Sequence, residues 1–217
     1  MSEEAKKILG QKAAALVKEG MIVGLGTGTT AKYFIEALGE RIRTEGLTIR
    51  GCASSNQTSR LAINNKIPLI SLNKVHSLDL TVDGCDQFDA KCQLIKGRGG
   101  ALLREKILAF LSKQYVIICT AEKKREYLGG GQLPLEVLAG ADQIILRALE
   151  AQGFSATLRC AKEQIPYVTD NQNYIIDVLL PEKVEDPQSL NQKFKSIPGV
   201  LETGFFLNFN PTLIVGE

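Results

Sequence analysis

Met21-Ile-Val-Gly-Leu-Gly-Thr-Gly-Thr-Thr30 changes character halfway along. Met21 to Leu25 is a short apolar run of strand length, and Gly26 to Thr30 is a turn made of glycine and threonine. A helical pattern follows, because Lys32 to Arg43 puts Phe34, Leu38 and Ile42 on one face. Strand, tight turn and helix in that order begin a βαβ unit, whose parallel strands are covered by helices.

The same alternation extends in both directions. Upstream, Glu4 to Glu19 carries an apolar stripe of Ile8, Leu9, Ala13, Leu16 and Val17, which predicts a helix. Downstream, Leu47 to Ala53 reads as a strand, Gln57 to Asn64 as a helix and Ile67 to Leu72 as a strand. Ser77 to Val82 alternates, Ala101 to Leu111 is helical, and Tyr115 to Cys119 is a strongly apolar strand. The expected architecture is α/β: an open, mostly parallel, three-layer (Rossmann-like) sheet.

The character changes at Gly129-Gly130-Gly131. Beyond it come a strand (Leu135 to Leu138), a helix (Ala141 to Ala151), two strands (Phe154 to Arg159 and Tyr174 to Leu180), a helix (Pro187 to Lys195) and a strand (Val200 to Phe206). That β-α-β-β-α-β order predicts a smaller ferredoxin-like α+β subdomain. Thr212 to Val215 is expected to return to the first sheet. The predicted domains are therefore 1–128 with 207–217, and 129–206.

Composition narrows the function. Of 217 residues 44% are apolar, enough for a substantial core. Lys plus Arg number 26 against 24 Asp plus Glu, and a net charge of +2 gives no electrostatic case for nucleic acid. No apolar run reaches the roughly 18 residues of a membrane span. The start, Met-Ser-Glu-Glu-Ala-Lys-Lys, lacks the pattern of a signal peptide. Five cysteines at 52, 85, 92, 119 and 160 include no Cys-x-x-Cys pair, which predicts thiols in a reducing cytoplasm and no zinc site. His76, the only histidine, reads as a solvated loop residue.

Three segments carry chemistry. The turn Gly24-Leu-Gly-Thr-Gly-Thr-Thr30 is suited to phosphate, because glycines admit a close ligand, helix N-terminal amides attract anions and the hydroxyls donate. It is neither a Walker A loop nor a dinucleotide fingerprint, and its plain structural reading is a threonine-capped turn. Asp83-Gly84-Cys85-Asp86 follows a strand, where open α/β sheets bind ligands; turn-forming aspartates are the plain reading. Lys96-Gly97-Arg98-Gly99-Gly100 opens the helix that carries Glu105 on a partly apolar face, in its second turn. Lys123 follows the strand ending at Cys119.

These segments resemble the A-type ribose-5-phosphate isomerase family. The resemblance runs from Lys6 to about Val215 and rests on Gly24–Ala31, Asp83–Asp86, Lys96–Ile107 and Gly131–Val137, with support from Val168–Asn171 and Ile197–Val200. It implies reversible conversion of D-ribose 5-phosphate to D-ribulose 5-phosphate through an enediolate, in the non-oxidative pentose phosphate pathway, with no metal or cofactor. It implies Glu105 as the base, Lys96 as the stabiliser of the enediolate, and Asp83 and Asp86 as handlers of the sugar hydroxyls. Thr27, Gly28, Thr29, Thr30, Lys6, Gly97 and Lys123 are implied to bind substrate, with Ser54, Ser55 and Thr58 beside them. It further implies a cytoplasmic homodimer or higher homo-oligomer. Gln87, Arg98, Thr29 and Thr120 depart from the family pattern, where Glu, Gly, Ser and Asp are common. The alternatives are a non-catalytic sugar-phosphate sensing module and a related enzyme such as an amino-sugar phosphate deaminase.

Overall fold

The computed structural model describes residues 3–162 and 164–216. The chain runs α1 (Glu3–Ala14), β1 (Ile22–Leu25), α2 (Thr29–Glu45), β2 (Arg50–Ala53), α3 (Asn56–Asn64), β3 (Leu80–Asp83), β4 (Gln87–Phe88), β5 (Leu94–Ile95), α4 (Leu102–Leu111) and β6 (Tyr115–Thr120). It continues through β7 (Gln132–Val137), α5 (Asp142–Ala151), β8 (Ala156–Leu158), β9 (Cys160–Lys162), β10 (Ile165–Pro166), β11 (Tyr174–Leu179), α6 (Pro187–Lys195), β12 (Val200–Thr203), β13 (Phe205–Phe206) and β14 (Thr212–Gly216). The described residues form two compact units. One comprises residues 3–85, 104–124 and 209–216; the other comprises 86–103, 125–162 and 164–208.

The first unit is built on a five-stranded sheet ordered β14-β6-β3-β1-β2, every pair parallel. Counted within the sheet, that is the 2-1-3-4-5 order of a doubly wound fold, and the order reverses between β1 and β3. β14 returns to the sheet beside β6, as expected from its apolar run. Leu9, Ala13, Val23, Leu25, Phe34, Leu38, Leu80 and Val116 form the core on one face, joining α1 and α2 to the strands. Cys52, Leu78 and Leu108 pack on a second cluster that α4 covers.

Several boundaries differ from the periodic pattern. α1 ends at Ala14 rather than Glu19, because the Arg41 guanidinium donates to the carbonyls of Ala14 and Val17 and closes the helix there. α2 begins at Thr29, three residues before the apolar stripe, and ends at Gly46 in the left-handed region. The expected strand at 67–72 is reduced to a single bridge between Gly51 and Leu69, followed by a 3₁₀ turn at Leu72–Lys74. Pro68 has no N–H with which to extend a ladder.

The second unit contains a four-stranded antiparallel sheet ordered β12-β7-β11-β8. In chain order its strands are 4-1-3-2, joined by α5 and α6, the arrangement expected of the β-α-β-β-α-β pattern. Leu133, Leu135, Val137, Ile145, Leu149, Ile176, Val178 and Phe194 are its buried core. The hairpin β4–β5, whose strands are two residues each, carries too little pattern to be seen in the sequence. It groups with this unit because β5 pairs with β13.

Gln87 ties that hairpin to the triple-glycine turn. Its Nε2 donates to the carbonyl of Gly129 at 2.7 Å, and the Gly129 amide donates back to Oε1 at 3.1 Å. The exchange needs one donor and one acceptor on the same side chain, which an amide has and an ionised carboxylate lacks. Gln87→Glu is therefore expected to lower stability by about 2 kcal/mol, the cost of a buried carbonyl left unpaired beside a new charge. The difference in urea unfolding midpoint, converted with the slope, checks it.

Candidate active site

The reversal of strand order puts the end of β1 beside the end of β3, and there the two segments nearly touch. The Gly26 amide donates to the Val82 carbonyl at 2.9 Å, and the Thr27 amide donates to Asp83 Oδ1 at 3.2 Å. A Cβ on Gly26 would sit 2.2 Å from that carboxylate oxygen, so only glycine fits. Asp83 Oδ1 also accepts from the Gly84 amide at 2.8 Å. The side chain is 1% exposed, so this carboxylate is a buried anchor for the turn between β1 and α2.

The Thr27 hydroxyl gathers the neighbouring loop. It lies 2.7 Å from Ser54 Oγ, 2.9 Å from Ser55 Oγ and 3.1 Å from Thr58 Oγ1, and Thr58 Oγ1 donates to the carbonyl of Gly26 at 2.9 Å. Ser55 is also the N-cap of α3, accepting from the Thr58 amide. The expected site residues Ser54, Ser55 and Thr58 thus lie beside the turn, holding Thr27 from below.

Thr29 and Thr30 open α2 and line a small cavity of about 100 Å³ with Lys6, Cys85, Cys119, Thr120, Glu122 and Lys123. Two ammoniums, hydroxyls and the start of a 17-residue helix converge there, and one carboxylate, Glu122, lies 3.9 Å from Lys123 Nζ. Backbone amides at a helix start and two cations are chemistry suited to an anion. Lys6, from α1, and Lys123, from the 3₁₀ turn after β6, line this one cavity; Gly28 is the exposed N-cap of α2. His76 is exposed in a loop.

Glu105 is 3% exposed. α4 begins at Leu102, so the glutamate lies in its first turn rather than its second, where the helix dipole favours a negative charge. Thr81 and Leu108, which flank the helix and strand β3, are also buried. A carboxylate held out of water at a helix start has little freedom and a strong local field, both of which suit a base.

Asp86, Lys96 and Gly97 belong to the second unit. The Asp86 amide donates to Ile95, and Asp86 Oδ2 accepts from the Arg98 amide at 3.1 Å. Lys96 is 2% exposed, its amide donates to Gly204 and its ammonium lies 5.2 Å from the Phe206 ring centroid. Gly97 has φ +103°, and a Cβ there would come within 2.8 Å of Leu102 and Pro134. Arg98 is not among the positive-φ residues, so its side chain costs the turn nothing; that side chain is exposed.

The sequence did not single out the brace of this turn. Arg159 Nη1 donates to the carbonyls of Gly97 and Arg98 at 3.3 and 3.0 Å, while its other nitrogens pair with Asp177. Tyr167 Oη donates to the Gly99 carbonyl at 3.2 Å, and its ring lies 5.9 Å from the guanidinium. The planar fork of an arginine serves a carboxylate and a loop at once. One arginine at a strand end carries no spacing signal, so only the fold reveals it.

Comparison with known proteins agrees with this geometry. The family model for ribose 5-phosphate isomerase A (phosphoriboisomerase A) matches residues 50–217. The chain is 48% identical to ribose-5-phosphate isomerase A 1 of Oceanobacillus iheyensis, over 99% of this chain and 95% of that one. It is 43% identical to ribose-5-phosphate isomerase A of Bacillus mycoides, over 97% and 95%. Among solved structures, ribose 5-phosphate isomerase A of Methanocaldococcus jannaschii superposes with a TM-score of 0.92 at 36% identity, covering 100% of this chain and 96% of that one. A D-ribose-5-phosphate isomerase in complex with phospho-erythronic acid superposes at 0.94 with 37% identity and the same coverage. Full-length similarity of sequence and fold, on top of the anion cavity and the buried carboxylates, assigns the chain to the ribose-5-phosphate isomerase A family.

Proposed function

We propose that this protein interconverts D-ribose 5-phosphate and D-ribulose 5-phosphate in the non-oxidative pentose phosphate pathway. The observation that carries the reading is the pairing, within one unit, of an anion cavity at the start of α2 with the buried carboxylates Asp83 and Glu105. Family membership gives the substrate. The phosphate is held by Lys6, Lys123, Thr29, Thr30 and the first amides of α2, so that remote binding energy positions the reacting carbons. Gly28, with nothing within 4 Å of where a Cβ would sit, leaves room for the ligand beside the backbone, and the backbone of Gly97 contacts it as well.

In this scheme Glu105 takes the proton from C2 of the open-chain aldose and returns it to C1, while a second proton passes between O2 and O1. The enediolate that forms between the two transfers carries negative charge, and the Lys96 ammonium offsets it. Asp86 handles a sugar hydroxyl. Asp83 does the same and holds Thr27, so its roles combine positioning and contact. None of these steps needs a metal or an organic cofactor. A sensing module has no use for Glu105, and the named relatives are isomerases rather than deaminases. A homo-oligomer, in its simplest form a homodimer, is supported by exposed apolar side chains on the second unit, among them Leu138, Ile144, Ile165 and Leu179. Among the described residues no helix is long and apolar enough to cross a membrane. A cytoplasmic location fits a metabolic enzyme of this family.

Purified protein in chelator is expected to equilibrate the two pentose phosphates. Glu105→Gln should lower kcat by about a thousandfold while still binding sugar phosphate, the usual scale for removing a general base; undiminished turnover would remove Glu105 from that role. Lys123→Ala should raise KM for ribose 5-phosphate about tenfold with a smaller effect on kcat. Steady-state kinetics of the two variants separates the phosphate grip from the proton transfer.

A further inference from the structure

Two thiols lie in the wall of the anion cavity. β3 and β6 run parallel as far as Asp83 opposite Ile117, and just beyond that last pair the Cys85 and Cys119 thiols meet in a hydrogen bond. Two sulfurs already in hydrogen-bond contact need only a short movement to reach the roughly 2 Å of an S–S bond. Both residues line the cavity with Lys6 and Lys123, and neither is in a disulfide. Cys85 follows the end of β3, with Gly84 before it, so its backbone is not fixed by a sheet ladder.

We propose that Cys85 and Cys119 form an oxidisable dithiol, which hydroperoxides convert to a disulfide that closes the anion cavity. The five cysteines are not equivalent toward such an oxidant. The Cys119 thiol is held below its usual range, first by a hydrogen bond with the Cys85 thiol and then by the Lys123 ammonium, although burial opposes both. Burial alone pushes Cys52 up to about 11, which keeps it a protonated, inert thiol. Cys160 is exposed, with no thiol placed beside it by the sheet register, and Cys92 lies in the β4–β5 hairpin of the other unit.

The chemistry balances with the peroxide alone. The Cys119 thiolate attacks one peroxide oxygen; an S–O bond forms, the O–O bond breaks, and hydroxide leaves and takes up a proton as water. The Cys85 sulfur then attacks the sulfenic sulfur as its own proton departs; the S–S bond forms, the S–O bond breaks and a second water leaves. Two thiols lose two electrons, and the peroxide gains them.

Closure of the bond draws the two sulfurs to about 2 Å. It also ties down the stretch Asp83–Asp86 and reshapes the wall that faces Lys6 and Lys123. The loss of activity rests on the reading of this cavity as the phosphate grip, whereas formation of the disulfide does not.

Peptide mapping after brief exposure of the reduced protein to hydrogen peroxide tests the bond. Trypsin cuts after Lys74, Lys91, Lys113 and Lys123, so Cys85 and Cys119 fall on separate peptides and Cys92 on a third. The expected result is a cross-linked pair of peptides 75–91 and 114–123. Isomerase activity measured on the same sample should fall about tenfold and return with dithiothreitol. Cys85→Ser, compared with its own untreated activity, should form no such pair and resist the peroxide. Absence of the 75–91/114–123 pair in the wild-type protein overturns the proposal. A pair that forms with no loss of activity overturns the closure. If the untreated protein does not isomerise pentose phosphates, the functional reading fails, and the map still decides the dithiol.

Discussion

A methyl group on Gly26 would sit 2.2 Å from the Asp83 carboxylate, and that shortage of space organises the first unit. With hydrogen alone at that position, the turn after β1 comes close enough for the Thr27 amide to bond Asp83, and Asp83 stays buried because backbone amides satisfy one of its oxygens. The Thr27 hydroxyl then finds Ser54, Ser55 and Thr58, which fixes the loop before α3. Thr29 and Thr30 are carried into the cavity because α2 starts directly after this turn. A single close approach at the strand reversal therefore sets the threonine turn, the serine–threonine loop and one of the two aspartates.

The second unit solves a similar problem with charge. The turn from Lys96 to Gly100 includes Gly97 and Gly100 in the left-handed region and would be loose on its own. Arg159, held by Asp177, donates to two of its carbonyls, Tyr167 donates to a third, and Asp86 accepts the Arg98 amide. A partly buried ion pair contributes little to net stability, but it defines position well when each nitrogen of the fork is used. The ammonium of Lys96 is thereby presented from a fixed backbone.

Much of this was legible in the residues. The alternation of apolar strands and amphipathic helices specified the parallel sheet, and the β-α-β-β-α-β order specified the antiparallel one, because each depends on period and sequence order. The threonine turn, the two aspartates, Lys96 and Glu105 stood out because charge and hydroxyls gathered at strand ends. Three things were not legible. The strand expected at 67–72 failed since an apolar run containing Pro68 looks like a strand whether or not a ladder is available. The β4–β5 hairpin is shorter than any periodic signal. Arg159, Tyr167 and the neighbours Cys85 and Cys119 meet their partners through tertiary contact, which spacing along the chain does not encode.

The central claim is that a carbon-bound proton is removed by a carboxylate and returned one carbon away through an enediolate. Isomerisation of ribose 5-phosphate in deuterated water, followed by proton NMR of the ribulose 5-phosphate formed, tests it most directly. A proton carried on Glu105 exchanges with solvent over repeated turnovers, so deuterium should accumulate at C1 of the ketose. C1 that stays fully protonated after many cycles of forward and reverse isomerisation would point to a direct hydride shift between the carbons, and would contradict the account.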